Sequence, residues 1–122
     1  MNATMIRNLA QATLSGSIPF PAIVGQLMAE GVEYYHVDYA RLQFTFYDSA
    51  SGVVVAPLSI ENLPGIASDF NGAALRAAIL DSQQNGQKFH QFCQRAMEAG
   101  VQSYFAFLRG KRVTYLGRNG DH

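Results

Sequence analysis

The sequence predicts an α+β domain in which two pseudo-repeated helix–helix–β-hairpin units form one antiparallel sheet packed against helices. Residues 2–48 lie over residues 71–117 at a constant offset of 69, without a gap and with eight identities in 47 positions. Apolar periodicity switches from helical to strand-like at the same place in both copies. The chain has 122 residues, 48% of them hydrophobic and 15% charged, which is enough to bury one core without disulfide or metal support. A single domain spanning 1–122 is expected.

Each unit opens on an asparagine, Asn2 or Asn71, that can bond the free N–H groups of a following helix. Phe70 precedes the second of these and is placed to staple onto Leu75. The first helices run to about Leu14 and Gln84 and end in the Gly16 and Gly86 regions. In the second helices, Phe20, Ile23, Val24, Leu27 and Met28 match Phe89, Phe92, Cys93, Ala96 and Met97 as a buried face, with Gln91 off it. Gly31 and Gly100 stop these helices, and Val32 and Val101 begin the strands.

Alternation sets Tyr35, Val37 and Tyr39 on one strand face, equivalent to Tyr104, Ala106 and Leu108. Turns at Ala40–Arg41 and Arg109–Gly110 bring Phe44 opposite Val37, Phe46 opposite Tyr35, Val113 opposite Ala106 and Tyr115 opposite Tyr104. Gly110 suits a tight turn with positive φ and Ala40–Arg41 does not, so the first turn is expected to be longer or differently shaped. Between the copies, Asp48–Gly52 is a turn signal and Val53–Val55 a fifth strand. Pro57 and Pro64 bracket a connector to the Asn71 cap.

Nine basic and nine acidic residues cancel, so no long-range field gathers nucleic acid or an anionic membrane. The low charge favours self-association, and a homodimer is one expected state. The single Cys93 has no internal disulfide partner, and neither a secretion signal nor a run of about 20 apolar residues is evident, so a cytoplasmic, membrane-free protein is expected. His90 and Cys93, three apart, lack a third ligand and make a poor metal site. No nucleophile elbow, phosphate-cradling loop or other cofactor motif is present, so no cofactor is expected. Cys93 sits at the repeat position of Val24 and reads as a small buried hydrophobe. Asp69, Asp81 and Glu98 have no evident partner. Tyr34–Tyr35 with Arg109, Lys111, Arg112 and Arg118 offer rings beside cations, but Tyr35 reads as core and the basic run as the solvated face of a terminal hairpin.

The copies differ most at His36 and Asp38, which share a strand face where the second copy has Phe105 and Phe107. Gln43 and Thr45 lie across from them and Arg41 near the turn. His36 as acid or base, Asp38 as its orienting partner and Arg41 as an anion clamp form a catalytic candidate. The rival reading is a solvated sheet face. Gln43, Thr45, Phe105 and Phe107 are binding candidates on that face. The leading expectation is a non-catalytic interaction module that binds a protein partner or a second copy of itself.

The Phe20–Val24 helix start, the Gly31-Val32 stop, the Tyr35-His36-Val37-Asp38 strand and the Tyr115-x-Gly117-Arg118 ending carry a resemblance over nearly the whole chain. The sequence resembles the YdfO-like family of small bacterial and prophage-encoded proteins of unknown function, sometimes labelled phage envelope proteins. That resemblance implies a small α+β fold and a phage or prophage context, and brings no activity, cofactor or catalytic residue. Its Tyr-His-x-Asp pattern falls on Tyr35, His36 and Asp38.

Overall fold

A computed structural model describes residues 1–122. Asn2 and Asn71 cap α1 (Ala3–Ser15) and α3 (Gly72–Gln84), their side chains accepting from Met5 N–H at 3.1 Å and Ala74 N–H at 3.0 Å. The second helices are α2 (Phe20–Ala29) and α4 (Phe89–Glu98), and the first strands β1 (Val32–Asp38) and β4 (Val101–Phe107). Return strands β2 (Gln43–Asp48) and β5 (Arg112–Gly117) complete two hairpins, and β3 (Val53–Pro57) adds to β2. The four helices and four hairpin strands of the two halves begin and end at positions 69 apart.

One antiparallel sheet results, in the order β3-β2-β1-β4-β5, with the two halves joined at the β1–β4 seam. The hairpin registers are those the alternation predicts, including Val37 with Phe44 and Tyr104 with Tyr115. Both hairpins close with four-residue loops of one shape, and the first turn is not the longer one. Positive φ falls on Leu42 and Lys111, each at 54°, and not on Gly110, so the glycine is no requirement of the turn.

Tyr35, Val37, Phe44, Phe46, Val54, Ala56, Tyr104 and Ala106 form the inner face and merge with Ile6, Leu9, Ile23, Leu27, Phe92, Cys93 and Met97 into one core. Helices α1, α2 and α4 lie on this face and α3 packs on α4. The buried side of α2 is narrower than its sequence suggests. Ile23 and Leu27 are buried, whereas Phe20 and Met28 are 51% and 47% exposed, because α2 packs chiefly on α1 and β1. Gly100, at φ 92°, lies where a Cβ would stand 2.3 Å from the Asp69 carbonyl oxygen, so the connector passes over that turn only because the residue is glycine. Phe70 packs beside Gly117 at the end of the same connector.

Candidate functional site on the open face of the sheet

The face turned away from the helices carries three rows that cross all five strands, with Thr45 and Ser103 buried within them. Val53, Tyr47, Tyr34, Phe107 and Arg112 form the first; Val55, Thr45, His36, Phe105 and Thr114 the second; Pro57, Gln43, Asp38, Ser103 and Leu116 the third. Strand alternation sends these side chains outward as it sends the core residues inward. His36, Asp38, Gln43, Thr45, Phe105 and Phe107 therefore share one face, while exposed Arg41 sits on the β1–β2 turn beyond the third row.

Aromatic contacts organise the first two rows. Tyr34 stacks on Tyr47 with centroids 4.7 Å apart and leans on Phe107 at 5.7 Å; Phe105 and Phe107 stack at 5.9 Å. His36 lies 4.4 Å from the Phe105 ring. These five rings remain partly exposed, and Val53 and Val55 are 55% and 43% exposed at the β3 margin. Tyr47, and the place of Tyr34 and the β3 valines on this face, were not read from the sequence; the β1–β2 and β2–β3 pairings bring them in.

The polar groups of the third row are spent on structure. Asp38 Oδ1 accepts from the backbone N–H groups of Ala40 (2.9 Å) and Arg41 (3.1 Å) and from Gln102 Nε2 (3.1 Å). Gln43 Nε2 donates to Thr45 Oγ1 at 3.3 Å. Asp38 thus ties the β1–β2 turn to β4, and its bonded oxygen already has three donors. Partial burial pushes the His36 pKa below its ordinary value of 6.5, with the Asp38 carboxylate offsetting part of that effect. The imidazole is accordingly neutral at pH 7, packed on a phenyl ring.

Two surface hollows lie elsewhere or at the margin. One, of about 560 Å³, is bounded by Glu33, Tyr34, Phe107, Arg109, Gly110, Arg112 and Thr114, where the first row meets the β4–β5 turn. The other, about 580 Å³, is lined wholly by polar residues at the α3–α4 corner. There Asp81 has a partner after all. Arg95 Nη1 donates to Asp81 Oδ2 and to Gln87 Oε1, Asn85 Nδ2 donates to Asp81 Oδ1, and Gln87 Nε2 donates to the Ala78 carbonyl. The bonds from Arg95 and Asn85 hold the Asp81 carboxyl below its usual range. The partner was not evident because it lies one helix away, 14 residues on.

Residues 19–122 match the model of a family described as proteins of unknown function, DUF1398. The chain belongs to the DUF1398 family. A comparison with curated proteins finds no match. The matched segment of this DUF1398 protein begins just before α2 and takes in the whole sheet, so all three outer rows fall within it. No helix is long and apolar enough to cross a membrane.

Proposed function

We propose that this DUF1398 protein is a non-catalytic interaction module whose contact surface is the open face of the sheet. The observation that carries this reading is the composition of that face. Its centre is aromatic and β-branched, its charged side chains are Arg112 at the β5 margin and the internally bonded Asp38, and the helices lie on the other side. Aromatic enrichment with charge displaced to the rim is how protein contact surfaces differ from ordinary surface. A large apolar side chain gains roughly 1.5–3 kcal/mol on full burial, so covering the part of these rings still in water supplies a fraction of that each as a driving force for association. The resemblance to YdfO-like proteins supports a phage or prophage context. The matching bounds and symmetric pairing of the two halves support their origin as copies of one unit.

The test compares the parent chain with a Phe105→Ser, Phe107→Ser double variant, each used as bait in native lysate and read by mass spectrometry for proteins and small molecules. The expected variant is folded by circular dichroism and loses the proteins the parent captures. Unfolding would place both rings in the monomer's own core and end the reading, as would capture of the same set by both baits.

A further inference from the structure

Resting on that reading, we infer that the occupant of the open face is a second copy of this chain, packed sheet against sheet about a twofold that passes near His36. His36 stands in the middle row of the middle strand, so it is the centre of the face. A twofold contact is self-complementary, and the rows satisfy that demand when the axis lies in the face and perpendicular to the strands. The first row of one copy then covers the third row of the other. Tyr34 comes over the second copy's Asp38, Tyr47 over its Gln43 and Phe107 over its Ser103, so large rings meet smaller polar residues. The middle row meets itself, with Phe105 on Phe105 and Val55 on Val55.

Charge favours a copy of the chain over a nucleic acid. The chain's formal charge is zero, so two copies do not repel. On the face only Arg112 is cationic, and Arg109 beside it is 4.0 Å from the Glu33 carboxylate. A phosphate backbone needs several free cations along its track. Size sets the strength. Five strands spaced about 4.8 Å apart and about six residues long present roughly 480 Å² per copy. A pair of such faces buries on the order of 1,000 Å², near the lower bound for a specific interface, so the dimer is reversible.

Sedimentation equilibrium of the full chain from about 5 to 500 µM tests this, with Val55→Lys and Phe105→Lys beside the parent. The parent is expected to pass from monomer to dimer within that range, and each lysine, facing its own copy, to weaken association at least tenfold. Val55 is exposed at the sheet margin, so its variant reports even where Phe105→Lys fails to fold. Under oxidation Val55→Cys is expected to cross-link the two copies faster than Val53→Cys, which faces Pro57. A parent that stays monomeric at 500 µM overturns the second-copy inference, while the contact-surface reading still stands or falls by the lysate comparison. A dimer unmoved by either lysine and not trapped by Val55→Cys means that the copies meet elsewhere, and also overturns it. Binding of a labelled oligothymidylate that Phe105→Lys abolishes would assign the face to nucleic acid instead.

Discussion

His36 and Phe105 pair across the β1–β4 seam at positions 69 apart, so each occupies in its half the place the other holds in its own. The two rings lie 4.4 Å apart at the point about which the seam's pairing is symmetric. Partial burial holds the His36 pKa below 6.5, opposed only in part by Asp38. As pH falls through 6.5 the unfolded chain takes up this proton before the native chain does. Stability is therefore full above that value and declines as pH falls towards the native pKa. His36→Phe should flatten the dependence of denaturation midpoint on pH between 7 and 5. An unchanged slope would show that His36 is not the group responsible.

The buried side of α4 gives a graded series. Phe92 is buried against Tyr104 and Tyr115, so Phe92→Ala should cost about 3–5 kcal/mol in urea denaturation. Exposed His90 next to the start of the helix should tolerate alanine within about 0.5 kcal/mol. Gln91 reads as a neutral surface residue in the sequence, yet its Oε1 accepts from the Lys88 backbone N–H at 3.1 Å. Gln91→Ala should consequently fall between, at about 0.5–1 kcal/mol. Equal losses at all three positions would reject the helix face.

The two hairpin loops make a matched prediction. Leu42 and Lys111 both hold φ at 54°, a conformation that costs an L-residue about 1 kcal/mol or more and glycine almost nothing. Leu42→Gly and Lys111→Gly should each stabilise the protein by about 0.5 kcal/mol, the gain trimmed by glycine's freedom in the unfolded chain. Thermal melts that move in opposite directions for the two variants would show that the loops are not equivalent in energy.

Features carried by local chemistry were legible in the sequence. The asparagine caps, the Gly31 and Gly100 stops, the strand alternation and both hairpin registers depend on residues close together in the chain. The seam that joins β1 to β4 depends on pairs at least 65 residues apart, the separation of Asp38 and Ser103, which no local pattern encodes. Two misjudgements follow from that. Phe20 and Met28 look like core because they share a helical face with Ile23, Val24 and Leu27, but the fold supplies α2 too few neighbours to bury them. Asp38 looks free to orient His36, but the neighbouring turn amides of Ala40 and Arg41 bond its oxygen, and Gln102 reaches the same oxygen once the seam exists. The aromatic row on the open face is likewise a property of sheet order, since Tyr34 and Phe107 become neighbours only across the seam.

The last prediction concerns the interior. The buried Tyr39 hydroxyl makes no hydrogen bond of ordinary geometry and has the weakly bonding Cys93 thiol of α4 beside it. An unsatisfied buried hydroxyl costs about 1–3 kcal/mol, so Tyr39→Phe should raise stability by about 1 kcal/mol despite removing a polar group. Cys93 is fully buried, and desolvation pushes its pKa up to about 12. The nucleophilic thiolate is thus scarce and covered at pH 8, and labelling by a thiol reagent has to await opening of the core. The two effects are coupled. By deepening the native well, Tyr39→Phe should slow Cys93 labelling in proportion to its gain in stability. Rapid labelling of the native parent would mean that the thiol is reachable without unfolding. A Tyr39→Phe variant less stable than the parent would mean that the hydroxyl bonds the thiol strongly enough to offset its burial.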